Sequence, residues 1–158
     1  MQYLLDSNIF ITCKNEMPRD IFQGLWQNLA ALAHNGHIFS CVKVREEIER
    51  GNDDLALWCK DNLPEVFFMP FDAHTEYSCL MTWANQNPIF KTAARQQFAT
   101  VADAYLVAMA AAHNMTVVTF ETSDPRCKKR VKIPDACKAV GVRCCSLNDL
   151  LHQFAVVF

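Results

Sequence analysis

The chain has 158 residues, 51% of them apolar and 20% charged, which is the composition of a folded globular protein and excludes a disordered one. That length suits one domain, spanning 1–158, with a sizeable core. The net charge of -2 supplies no global basic field, so any polyanionic partner needs a local patch or a metal ion. No apolar run approaches the ~20 residues of a membrane span. No basic region precedes the first apolar run in the manner of a signal peptide, so a cytoplasmic location and no membrane association are expected. The eight cysteines (Cys13, Cys41, Cys59, Cys79, Cys127, Cys137, Cys144 and Cys145) form no Cys-x-x-Cys pair, and the five histidines form no His-Glu-x-x-His pattern. Most of the cysteines sit among apolar neighbours and read as reduced core thiols.

Residues 3–6 read as a short buried strand that ends at Asp6 and turns at Ser7-Asn8 into an apolar helix. A helix is expected over 18–35, with Ile21, Leu25, Leu29 and Leu32 at helical spacing and Gly36 beyond its end. Residues 37–40 suggest a second strand, 41–51 a helix closed by Gly51, and 53–62 another that stops before Pro64. Val66 to Met69 read as a third strand, and helices are expected over 72–85, 90–98 and 101–113. Thr116 to Phe120 is the clearest strand, β-branched through its core. A polar loop from Glu121 to Lys132 follows, and then a short helix opened by Pro134 and ended by Gly141. A weak strand at 142–145 and a helix at 146–155 capped by Ser146 complete the chain. Strands alternating with helices imply a parallel sheet with helices on both faces. Trp26, Trp58, Trp83 and most phenylalanines fall at core-like spacing and do not read as base-stacking platforms.

Four acids stand out against this apolar background. Asp6 lies at the carboxyl end of a buried strand, where open α/β sheets bind their ligands; burying a charge there is costly unless it is paired or holds a metal, and capping of the following helix is the simpler alternative. In the 41–51 helix, Cys41, Val44 and Ile48 form the apolar stripe. At ~100° per residue, Glu47 lies about 60° from Val44, at the margin of the buried face, whereas Glu46 and Glu49 belong to the solvated side. Asp103 is the single acid in a helix that is otherwise apolar nearly all round, with Thr100 available as that helix's N-cap. Glu121 follows the fourth strand directly, with Asp124 three residues on. If the first and fourth strands are neighbours, Asp6 and Glu121 converge and Asp103 joins them. Carboxylates forced together repel unless a cation lies between them. Oxygen ligands without nearby histidine or cysteine select Mg²⁺ or Mn²⁺, and such a site suits phosphodiester hydrolysis.

At this point the sequence resembles the PIN-domain nucleases. The resemblance is carried by Leu4-Leu5-Asp6-Ser7-Asn8-Ile9-Phe10-Ile11, by Glu47-Ile48-Glu49-Arg50-Gly51, by Ala102-Asp103-Ala104-Tyr105-Leu106-Val107-Ala108, and by Val117-Val118-Thr119-Phe120-Glu121, in that order. The chain looks most like the bacterial branch related to the VapC toxins, a likeness extended by Lys132-Ile133-Pro134-Asp135-Ala136-Cys137 and Gly141-Val142. The resemblance implies a three-layer α/β/α fold with a central, mostly parallel sheet of about four to five strands. It implies a Mg²⁺- or Mn²⁺-dependent endoribonuclease, the toxin of a type II toxin–antitoxin pair. Asp6, Glu47 and Asp103 would be its core acids. Glu121 would be the fourth, with Asp6, Asp103 and Glu121 on the metal and Asn8 orienting Asp6 or a metal-bound water. Here the chain departs from the pattern, which places an aspartate a few residues past the strand. Asp124 and Asp135 therefore remain rivals to Glu121.

The dense basic run Lys128, Lys129, Arg130 and Lys132 is the expected contact for RNA phosphates. Expected partners are RNA, a cognate antitoxin and a second copy in a homodimer. Two other readings stay open: a catalytically impaired PIN-like module that binds RNA or protein, and an aspartate-nucleophile phosphatase. The phosphatase would want an aspartate where Asn8 stands.

Overall fold

The computed structural model describes residues 1–158. Five strands, β1 (Tyr3–Leu5), β2 (Ile38–Cys41), β3 (Phe68–Met69), β4 (Thr116–Val118) and β5 (Cys144–Cys145), form one sheet in the order β3-β2-β1-β4-β5. Every pairing is parallel, and the registers Tyr3↔Ile38 and Leu5↔Val118 place β1 at the centre. β1 and β4 are buried along their whole length, as strands covered on both faces must be.

Helices flank the sheet: α1 (Ser7–Glu16), α2 (Gln23–His34), α3 (Val42–Arg50), α4 (Asp54–Asn62), α5 (His74–Gln86), α6 (Thr92–Thr100), α7 (Ala102–His113), α8 (Ile133–Ala139) and α9 (Leu147–Gln153). The alanine-rich α7 buries eight of its twelve residues, because small side chains let it pack closely against α3, α5, α8 and the sheet. Trp26 and Trp58 meet edge to face at 4.8 Å within the core. All eight cysteines are free. Cys13, Cys41, Cys59 and Cys137 are buried, and Cys79 is exposed. No helix is long and apolar enough to cross a membrane.

The topology fixes where a ligand can bind. From β1 the chain moves outward to β2 and β3, then returns to the other side of β1 as β4. The loops leaving β1 and β4 therefore diverge at their carboxyl ends, which is the switch point where open parallel sheets hold ligands.

Four local expectations are corrected. α2 starts at Gln23 rather than at Pro18, because Pro18–Phe22 form a turn closed by the Phe22 N–H to the Pro18 carbonyl (2.8 Å). Ile21, expected on the buried stripe, is 72% exposed. β4 ends at Val118, because β1 turns into α1 after Leu5 and its last bond to β4 is Asp6 N–H to Val118 O (3.0 Å). Thr100 closes α6 and does not cap α7: its hydroxyl bonds the Gln97 carbonyl at 3.0 Å, and Val101 is the N-cap residue.

Candidate active site at the carboxyl ends of β1 and β4

The switch point brings Asp6, Glu47, Asp103 and Glu121 together from four separate elements. Asp6 follows β1 and is 1% exposed. Its backbone is the N-cap of α1, yet its carboxylate makes no capping hydrogen bond, and the nearby Asn8 N–H lowers its pKa. Thr119 Oγ1 donates to Asp6 Oδ2 at 3.0 Å and accepts the Glu121 N–H at 3.1 Å. The Ser7 hydroxyl has one proton. It donates to Glu47 Oε2 at 2.9 Å, which leaves Asp6 Oδ1, 3.4 Å away, without a full-strength donor. Burial raises Asp6 to a pKa of about 6, opposed by the Thr119 hydrogen bond and reinforced by Glu121 and Glu47.

Asp103 lies in the first turn of α7 and is 8% exposed. Burial first, then the charges of Asp6 and Glu121, raise it to about 7 against the opposing pull of Arg130. Arg130 Nη2 lies 3.5 Å from Asp103 Oδ2 and forms a closer ion pair with Glu121 Oε1.

The two glutamates have a second use. Glu47 Oε1 accepts the Ala102 N–H at 3.0 Å, so a carboxylate on α3 caps α7, whose N-cap residue Val101 has no polar side chain. Glu121 Oε2 accepts the Ile133 N–H at 2.7 Å and caps α8 in the same way, since Lys132 at that N-cap offers no acceptor. The other oxygen, Glu121 Oε1, is buried and receives no directed hydrogen bond, only the charge of Arg130. Glu46 and Glu49 pair with Lys43 and Arg45 along the outer face of α3, both at 3.7 Å.

The rivals for the fourth acid bond to the loop instead, Asp124 from within it and Asp135 from the first turn of α8. Asp135 Oδ2 accepts the Asp124 N–H at 2.9 Å, Ser123 donates to Asp135 Oδ1, and Asp124 Oδ1 accepts the Arg126 N–H at 3.2 Å. These bonds brace the segment that carries the basic run. Within that run, Arg130 turns inward onto the acids, Lys128 and Lys129 are exposed, and Lys132 starts α8. A cleft of about 120 Å³ opens over the acids, lined by Asn8, Ser7, Glu47, Asp103, Arg130 and Gln97 among others. Sequence reasoning did not assign Ser7, Thr119 or Gln97 to the site. The hydroxyls at the ends of two apolar strands were the available signal for Ser7 and Thr119, and Gln97 carries none.

No three Asp, Glu, His or Cys side chains stand close enough to form a ready-made metal cage. Mg²⁺ does not need one: it commonly binds through one or two carboxylates and keeps several waters. The donor chemistry of Asp6 and Asp103 fits such an ion. Both are buried carboxylates raised by burial and by neighbouring acids, Glu121 and Glu47 for Asp6 and Asp6, Glu121 and Glu47 for Asp103, while Asp6 Oδ1 lacks a full-strength donor and Glu121 Oε1 meets only the Arg130 guanidinium.

The chain belongs to the family described as "Domain of unknown function (DUF4411)", which matches residues 3–158. No curated protein matches it. Its structure is similar to that of VapBC2 from Rickettsia felis bound to a DNA fragment from its promoter, with a TM-score of 0.51, 18% identity, and 92% of this chain and 98% of that chain covered. It is also similar to FitAB bound to the IR36 DNA fragment, with a TM-score of 0.54, 18% identity, and 92% and 94% covered. At this identity the likeness is one of fold, and the fold is PIN-like.

Proposed function

We propose that the chain is a metal-dependent endoribonuclease that hydrolyses RNA phosphodiester bonds and acts as the toxin of a type II toxin–antitoxin pair of the VapC kind. One observation carries this reading: Asp6 and Asp103 are buried together at the switch point, and burial and neighbouring acids raise both despite the Thr119 hydrogen bond to Asp6 and the nearby Arg130. Asp6 and Asp103 would hold Mg²⁺ or Mn²⁺, with Glu121 Oε1 within the same acidic cluster. Bound there, the ion supplies charge neutralisation and Lewis acidity toward a phosphodiester oxygen.

The remaining roles fall to the chain's own residues. Thr119 fixes the rotamer of Asp6, and Glu47 holds Ser7 and the start of α7, which sets the position of Asp103. Asn8 faces the cleft, where its amide can orient the scissile phosphate. Lys128, Lys129 and Lys132 adjoin Arg130 in sequence and would neutralise the RNA backbone beside the cut. The DNA-bound state of VapBC2 and FitAB supports assembly with an antitoxin partner.

The test is cleavage of labelled single-stranded and structured RNAs in Mn²⁺, Mg²⁺ or EDTA, with wild type beside Asp6→Asn. Metal-dependent cutting that disappears in the variant is the expected result. Absence of cutting by folded, metal-loaded wild type would favour the second reading, a catalytically impaired module that binds RNA or protein. That reading draws on the lack of a three-carboxylate cage and on the Arg130 contact with two of the acids.

A further inference from the structure

Arg130 is the cation that the structure places among the acids, and the way it is held is informative. A structural arginine–carboxylate pair normally uses the planar fork, with two parallel N–H···O bonds to one carboxylate. Here a single nitrogen, Nη2, is shared between Asp103 on α7 and Glu121 after β4. The approach to Asp103 is long, at 3.5 Å, and the contact with Glu121 Oε1 is not a directed hydrogen bond. Arg130 thus acts as a bridging point charge between ligands from different elements, the position a metal ion takes in an acidic site.

The segment around it is built to deliver that charge. Asp124 and Asp135 brace the loop, the Lys91 N–H bonds the Lys128 carbonyl at 3.0 Å, and the neighbouring Val131 is buried. The Arg130 side chain itself is 42% exposed and forms part of the cleft lining. It can therefore leave the acids toward solvent without disturbing the core.

We infer that Arg130 is the site's resident counter-cation: it holds Asp103 and Glu121 together in the metal-free protein and competes with a divalent cation for the same negative charge. This rests on the metal-site reading above and adds to it a built-in threshold for metal loading. Metal entry displaces the guanidinium toward the mouth of the cleft.

The experiment is a calorimetric titration of Mn²⁺ into chelator-stripped wild type, Arg130→Gln and Arg130→Lys at fixed ionic strength. Removing one unit charge at this depth should tighten Mn²⁺ binding about tenfold in Arg130→Gln. Arg130→Lys keeps the charge and should stay within about twofold of wild type. Equal or weaker binding by Arg130→Gln overturns the inference and leaves the nuclease reading standing, whereas no binding by any form overturns both. Should Arg130→Gln fail to fold, the Arg130 Nε resonance of ¹⁵N-labelled wild type decides. A shift that saturates with Mg²⁺ supports displacement, and an unmoved resonance in metal-loaded protein overturns it.

Discussion

Of the four acids at the switch point, Asp6 and Asp103 are a buried pair, the floor of the site, and Glu47 and Glu121 are a helix-capping pair, its walls, and the protein serves the two pairs in opposite ways. Each wall acid accepts a backbone N–H at the start of a helix whose own N-cap residue lacks an acceptor, Ala102 for Glu47 and Ile133 for Glu121. The floor acids cap nothing. Asp6 rests on one good hydrogen bond from Thr119, and Asp103 on a 3.5 Å contact with Arg130. Burial and the charges of neighbouring acids raise both. The difference separates carboxylates that maintain the architecture from carboxylates held at an energetic cost, and stored cost of that kind marks functional positions.

If that division is right, neutralising the floor should damage chemistry and spare the fold. Asp103→Asn should lower metal-dependent RNA cleavage by about a thousandfold or more, with cooperative unfolding retained. The walls should behave in the reverse sense. Glu121→Ala strips the Ile133 N–H and Arg130 of their partner and should cost about 2–3 kcal/mol in chemical denaturation, discounted for the exposure of Arg130.

A pH series sharpens the contrast. Both floor acids have folded pKa values above the ordinary aspartate value, so between about pH 4 and 7 the folded chain binds more protons than the unfolded one and its stability falls as pH rises. Metal-free protein should be more stable at pH 5 than at pH 8 by on the order of 2 kcal/mol, and Asp103→Asn should flatten that slope. The lowered carboxyls of Asp53 and Asp149 act only below the ordinary aspartate range and leave this window alone. Glu47→Ala removes the cap of α7 and should cost about 1–2 kcal/mol by thermal unfolding. The smallest effect belongs to the rim. Lys129→Ala should weaken RNA binding about two- to threefold and shallow its salt dependence by about one phosphate contact.

Much of this arrangement is legible in the sequence. Asp6, Asp103 and Glu121 stand out because each interrupts or ends an apolar segment, and the helical angle alone separates Glu47 from Glu46 and Glu49. The parallel sheet follows from the alternation of strands and helices, and the adjacency of β1 and β4 makes the convergence of the acids a fact of topology. The cross-chain bonds are not legible. Glu47 reaches Ala102 across 55 positions and Thr119 reaches Asp6 across 113, and no local propensity encodes such partners. Thr100 misled because its side chain suits an N-cap while the cap of α7 comes from another helix. Ile21 misled because helical spacing continues into a turn that the Pro18 carbonyl closes. Arg130 reads like its lysine neighbours in sequence, and only the braced loop turns it onto the acids.

The most direct test of the division between floor and walls is Mn²⁺ binding measured by calorimetry on wild type, Asp103→Asn and Glu47→Gln. Glu47→Gln keeps a carbonyl to accept the Ala102 N–H, so it should bind Mn²⁺ within a few-fold of wild type, while Asp103→Asn should lose about a hundredfold or more. Equal binding by all three, or loss in Glu47→Gln alone, would contradict the assignment of Asp6 and Asp103 as the residues that hold the ion.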